Sequence, residues 1–169
     1  MWGNISFKNF SVPEGLLHKT VFTITMDSEG FVWIGTSNGL SRFDGNSFYN
    51  FTHNSSNKHS LHGTSIHAIE EGIDGKLWIS TEKGIEYFDK KTESFHSAKI
   101  PDIQGINFTH NVHIDSDGSI WLFNHETNIL ALNASGDSII RRIDTIPEIS
   151  KNEIFLFEMT GNFLWIATT

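Results

Sequence analysis

The chain has 169 residues, 38% of them hydrophobic and 19% charged, with a formal net charge of −8 and no cysteine. These values exclude disulfides, cysteine-bound zinc and thiol catalysis, and they mark a globular rather than a disordered chain. A nucleic-acid partner is disfavoured too, because the longest basic runs are the pairs Lys90-Lys91 and Arg141-Arg142.

No run of about 18 apolar residues is present to span a membrane. The start, Met1-Trp2-Gly3-Asn4, lacks the basic-then-apolar pattern of a leader, which fits a cytosolic protein or one whose signal has been removed. Residues 4–10 (Asn4-Ile5-Ser6-Phe7-Lys8-Asn9-Phe10) resemble Asn46-Ser47-Phe48-Tyr49-Asn50-Phe51, and so predict an outer strand over residues 2–10 that completes a neighbouring blade. The next stretch reads as four short strands: 21–26, 31–35, 40–43 and 47–51. Turns at Ser28-Glu29-Gly30, Ser37-Asn38-Gly39 and Asp44-Gly45-Asn46 separate them.

That unit then repeats. Trp33, Trp78, Trp121 and Trp165 recur every 43 to 45 residues, and Gly30, Gly75 and Gly118 recur in the turn before the first three. These glycines are expected at positive φ, where a Cβ is penalised. Four strands of about five residues per unit, at a period near 44, predict an all-β fold: a β-propeller fragment of about three and a half four-stranded blades. Blade 1 is expected over residues 11–51, blade 2 over 52–95, blade 3 over 96–140 and an incomplete blade 4 over 141–169. Helical repeats of similar period are excluded, because glycine turns interrupt every window in which a 3.6-residue apolar period could run. A propeller needs at least four blades, so the natural protein is expected to continue past Thr169. The four tryptophans are expected to pack between neighbouring blades.

Long connections are expected at residues 11–20, 52–65, 96–107 and 141–152, all on one face, whereas the turns of the other face are short. Function concentrates on variable loops. The candidate ligand contacts are therefore His18, Asn38, His62, Thr64, Lys83, Asn107, His125 and Glu126. Nine histidines invite a metal reading. However, His110 and His113 fall in one strand at odd spacing, so they face opposite ways, and the pair His59/His62 lacks a third ligand. No metal, cofactor or catalytic residue is expected. Asp27, Asp44, Asp89 and Asp115 read as turn residues that bond their own backbone.

The run Asp27-Ser28-Glu29-Gly30-Phe31-Val32-Trp33-Ile34-Gly35-Thr36-Ser37-Asn38-Gly39-Leu40-Ser41-Arg42-Phe43-Asp44 resembles the two-component regulator propeller repeat. The second unit resembles it as well, with Gly72 at the Asp position and Ser80 at the glycine before Thr81. The third departs more, carrying Asn124 and Asn128 where Thr and Gly are expected. The resemblance implies the periplasmic sensor region of a bacterial hybrid histidine kinase, non-catalytic in itself. It would respond to oligosaccharides, contact further blades and an immunoglobulin-like domain, and form a homodimer when intact. Two alternatives stay open. One is a metal-dependent lyase of the streptogramin-lyase kind, with His67 and His110 near the channel. The other is a protein-interaction scaffold.

Overall fold

The computed structural model describes residues 6–100, 111–123, 129–143, 154–160 and 163–168. Three four-stranded antiparallel sheets and one hairpin follow each other along the chain, each a simple meander. Sheet 1 is β1 (Val21–Met26), β2 (Val32–Thr36), β3 (Gly39–Phe43) and β4 (Phe48–Phe51). Sheet 2 is β5 (Ile66–Glu71), β6 (Leu77–Thr81), β7 (Gly84–Asp89) and β8 (Ser94–Ser97). Sheet 3 is β9 (Asn111–Ile114), β10 (Ile120–Phe123), β11 (Ile129–Leu132) and β12 (Ile139–Ile143), and the hairpin is β13 (Ile154–Thr160) with β14 (Phe163–Thr168). The first strands β1, β5, β9 and β13 neighbour one another in turn, as the inner strands of propeller blades do.

The repeated residues have repeated jobs. Thr36 Oγ1 donates to the Gly39 carbonyl at 2.8 Å and accepts the Asn38 N–H, which closes the turn between β2 and β3. Thr81 does the same with Gly84 and Lys83 in sheet 2. Gly30, Gly75 and Gly118 have φ of 88°, 78° and 84°, so the expected left-handed turns are present. At Gly35 the need for glycine is one of space: a Cβ there would lie 2.7 Å from Ile66 Cγ2 and 2.9 Å from the Ile66 carbonyl.

Tryptophan joins one sheet to the next. Trp33, fully buried, shares a cluster with Leu61, Ile66, Leu77, Ile79, Phe88 and Phe95 of the following repeat. Trp78 does likewise with Val112, Ile120 and Leu122 of sheet 3. Each such indole removes roughly 150–250 Å² from water, about 4–6 kcal/mol of transfer free energy. Trp121 is buried among Phe123, Ile129 and Ala131. Trp165 is 64% exposed, since among the described residues no sheet lies over that side of the β13–β14 hairpin.

Of the outer strand expected over residues 2–10, residues 2–5 lie outside the described residues. Residues 6–10 form no strand. Instead Phe10 packs on β3 and β4, its ring 4.7 Å from Phe43 and 5.8 Å from Phe48. Burying that ring on the sheet face outweighs the few ladder bonds an edge pairing would make.

Candidate functional site

Of the residues expected to bind, Asn107, His125 and Glu126 lie outside the described residues, as does His110. The others sit on the connections that enter sheets 1 and 2 and on the turns beneath them, where much of their polar capacity is used internally. His18 Nδ1 accepts the Thr20 N–H at 3.0 Å and lies 2.6 Å from Ser37 Oγ. The backbone N–H groups of Thr64 and Ser65 are held by Glu82 at 2.8–3.0 Å. Burial pushes the Glu82 carboxyl up, but these N–H donors outweigh it and leave the group below its ordinary value. Asn38 and Lys83 are exposed. Their backbone N–H groups serve the Thr36 and Thr81 turns.

His62 belongs to another place. With Lys58, His59, Tyr87, Phe95, His96, Ser97, Lys99, Ser135, Gly136 and Asp137 it lines a cleft of about 540 Å³. The cleft opens between the outer strands of sheet 2 and the β11–β12 turn of sheet 3. Among the expected contacts that the structure describes, His62 alone faces it.

Four aromatic rings run in a ladder across sheet 2 to this cleft. The Trp78 and Tyr87 centroids are 5.3 Å apart, Tyr87 stacks on His96 at 5.1 Å, and His96 meets His59 edge-on at 5.6 Å. The ladder exists because Trp78, Tyr87 and His96 are cross-strand partners in β6, β7 and β8. Beneath His62 lies Glu86, 2% exposed. It accepts the N–H groups of His62 at 3.0 Å and Gly63 at 2.9 Å, and His62 Nδ1 stands 3.2 Å from its Oε2. Both Glu86 oxygens accept backbone N–H groups, so Nδ1 is placed as a donor to Oε2 and the ring orientation is fixed from below. On the opposite wall Asp137 accepts Asn133 Nδ2 at 2.8 Å and Ser138 Oγ at 3.0 Å, and these donors keep its carboxyl below the usual aspartate value.

The sequence reading flagged His59 and His62 but found no third histidine. The third, His96, comes from β8 and reaches His59 through the sheet register. Among the described residues no group of three His, Cys, Asp or Glu side chains has metal-binding geometry. The cleft lining combines two lysines, three histidines, aromatic rings and one carboxylate.

A second cluster lies on the short-turn side. Lys90 Nζ bonds Glu71 at 2.6 Å, Glu29 at 3.1 Å and Asp27 at 3.4 Å, tying sheet 2 to sheet 1. Burial works against the ammonium, but Glu71 and Glu29 more than offset this and push Lys90 up to about 12. Asp27 also binds Trp33 Nε1 at 2.8 Å and the N–H groups of Glu29 and Phe31. It is a turn residue, as expected, and additionally an anchor for the tryptophan.

The bulge in β1 falls at Phe22 and that in β5 at His67, and the two rings meet at 5.1 Å. Burial lowers the His67 pKa, against the nearby Glu82 charge. His67 thus stands on an inner strand, as the lyase reading requires.

Comparison with known proteins finds similar repeats and the same fold. The Two component regulator propeller family matches at residues 15–38 and 60–83, the same two segments of successive repeats. Histidine kinase P4 of Formosa agariphila is 36% identical over 58 residues, which cover 34% of this chain and 4% of that protein. The extracellular domain of BT3049 from B. thetaiotaomicron, described as a hybrid two component system, superposes with a TM-score of 0.76 at 23% identity. That match covers 94% of this chain and 23% of the domain. A catalytically inactive virginiamycin B lyase from Staphylococcus aureus, with quinupristin, superposes at 0.66 with 19% identity over 89% of this chain and 50% of the lyase. The chain thus spans less than a quarter of the BT3049 domain, and the structural likenesses establish the propeller fold alone. Among the described residues no helix is long and apolar enough to cross a membrane.

Proposed function

Since this chain carries the repeats of the two-component regulator propeller family, we propose that it is a ligand-sensing, non-catalytic propeller segment of a hybrid histidine kinase. It works outside the cytoplasmic membrane and responds to oligosaccharides. The observation that carries the reading is the cleft between sheets 2 and 3. There the repeat departs from itself, and polar and aromatic side chains gather around a volume within the range of about 300–1,000 Å³ usual for small-molecule sites. A sensor needs a surface where ligand can bias how one blade sits on the next, and a cleft walled by two sheets supplies one.

The test is autophosphorylation of the intact regulator, reconstituted in membrane, against a panel of oligosaccharides. The reading predicts that at least one saccharide changes the rate, and that the response is lost when His62 and His96 are both replaced by Ala. A regulator indifferent to every saccharide would overturn it.

The likeness to a lyase propeller, together with His67 at a bulge on an inner strand, favours one second reading, a metal-dependent eliminase. That reading predicts a metal-dependent activity of the intact protein that His67→Ala abolishes and His62→Ala leaves intact.

A further inference from the structure

We propose that the cleft between sheets 2 and 3 is specific for an acidic saccharide, one bearing a carboxylate or sulfate group; the inference rests on the sensing reading above and names its ligand class. Charge carries it first. In a chain of formal net charge −8, the cleft lining holds Lys58, Lys99 and three histidines against the single carboxylate of Asp137. Three cations elsewhere are paired with the protein's own acids, Lys76 with Asp74, Lys90 with three carboxylates and Arg42 with Glu93, while among the described residues others such as Lys19 and Lys91 form no ion pair and lie outside this cleft. Among the described residues Lys58 and Lys99 make no such pair, and both are exposed toward the cleft.

Geometry adds the saccharide part. An acidic group between Lys58, Lys99 and the histidines would receive charge-assisted bonds. His62 is already steered by the buried Glu86, which holds its Nδ1–H and leaves Nε2 to the cleft side of the ring. Asp137, kept ionised by Asn133 and Ser138, faces these donors across the cleft as an acceptor. Alone it would repel an anion. Opposite a cationic wall, it suits the hydroxyl groups of the same ligand. Tyr87 and His96, half-buried and stacked on each other, supply the ring surface on which a sugar can rest. A simple anion would use only the cations and a neutral sugar would leave them unpaired; an acidic saccharide engages all three elements.

The same place between sheets 1 and 2 shows what the cleft has lost. Arg42, in the position of Tyr87, lies over Phe31, Trp33, Tyr49 and Phe51 at 5.0–5.9 Å and fills the gap. Sheet 2 replaces that plug with Tyr87 and leaves the space open.

The experiment is isothermal titration of the intact protein with digalacturonate, sulfated lactose and neutral lactose, repeated on a Lys58→Gln/Lys99→Gln double variant. Both lysines are exposed, so the variant keeps its fold. At least one acidic sugar is expected to bind, with lactose at least about tenfold weaker, and the double variant is expected to lose about tenfold or more of the acidic-sugar affinity. Equal binding of lactose, unchanged affinity in the double variant, or no binding of either acidic sugar would overturn the proposal. If a neutral oligosaccharide still drives autophosphorylation in the double variant, sensing stands and the acidic specificity falls. If no saccharide of either kind drives it, the sensing reading itself falls.

Discussion

The two gaps between the three complete sheets are built from equivalent positions and come out opposite in character. Between sheets 1 and 2 the gap is filled. Trp33, Phe51, Phe88 and Phe95 pack ring against ring, Arg42 caps them, and Asp27 satisfies the indole N–H of Trp33 at 2.8 Å. Between sheets 2 and 3, Gly72 stands where Asp27 would be, and Trp78 Nε1 is buried without a hydrogen-bond partner among the described residues. The outer part of that gap is the cleft. A repeat protein stabilises itself mainly through neighbour-to-neighbour interfaces, so an interface that departs from the pattern gives up stability that packing would supply. The contrast teaches that one substituted position, Gly72 for Asp27, and one replaced plug, Tyr87 for Arg42, separate a filled gap from one that keeps an open cleft.

The largest effect expected is at the filled gap. Trp33→Ala should destabilise the chain by about 3–5 kcal/mol, and by about 1 kcal/mol more than Trp78→Ala, because only Trp33 also forfeits a bond to a carboxylate. Urea unfolding of the two variants checks this, and equal losses would erase the distinction between the gaps.

The next effect concerns a place where the 2/3 gap is tight. Gly136 has φ of +73°, and a Cβ there would overlap the six-membered ring of Trp78. Gly136→Ala should cost about 2–4 kcal/mol through backbone strain and overpacking, whereas Gly45→Ala in the corresponding turn of sheet 1 meets nothing within 4 Å and should cost about 1–2 kcal/mol. Thermal melts of the pair give the comparison directly.

Removing the cation that ties sheet 2 to sheet 1 should matter less. Lys90 is 13% exposed, and Lys90→Met should cost about 1–2 kcal/mol, read from the same unfolding curves.

The smallest effect is the pH dependence of that cluster. The carboxyls of Asp27 and Glu71 lie below their ordinary values of 3.8 and 4.5; burial opposes this, but the Trp33 and backbone bonds at Asp27 and the Lys90 and Ser28 bonds at Glu71 outweigh it. A depressed carboxyl contributes stability that is fully present above its ordinary value and is lost as pH falls through the folded value. Stability should therefore decline as pH drops below about 4.5, and the decline should be shallower in Lys90→Met. On the alkaline side, Lys90 at about 12 contributes stability that is complete below 10.5 and is lost as pH rises through 12. Unfolding midpoints across pH 3–6 for the two proteins test the acid branch.

Sheets 1 and 2 were legible in the sequence almost strand for strand, because their signals are local: a glycine at positive φ, a tryptophan three residues on, a threonine closing the next turn. Of the outer strand expected over residues 2–10, residues 2–5 lie outside the described residues, and in the rest Phe10 lies on Phe43 and Phe48. For Trp165 the expected inter-blade packing involves a following sheet that is not among the described residues, because burial of a blade-face tryptophan depends on the next sheet and not on its own repeat. The cleft was only half visible. His59 and His62 are neighbours in sequence, but His96, Lys99 and Asp137 arrive from later strands and turns through sheet register and sheet stacking, which no local pattern encodes. Of the candidates placed on the long connections, His62 lines the cleft, because this connection bends over the outer edge of sheet 2.

The most direct test of the account is hydrogen–deuterium exchange of the intact regulator with and without an activating acidic saccharide. The account predicts ligand-induced protection concentrated in residues 58–62, 95–99 and 135–137, with the segments around Asn38 and Trp33 unchanged. Protection centred on the Asn38 and Lys83 turns, with the cleft segments unaffected, would contradict it.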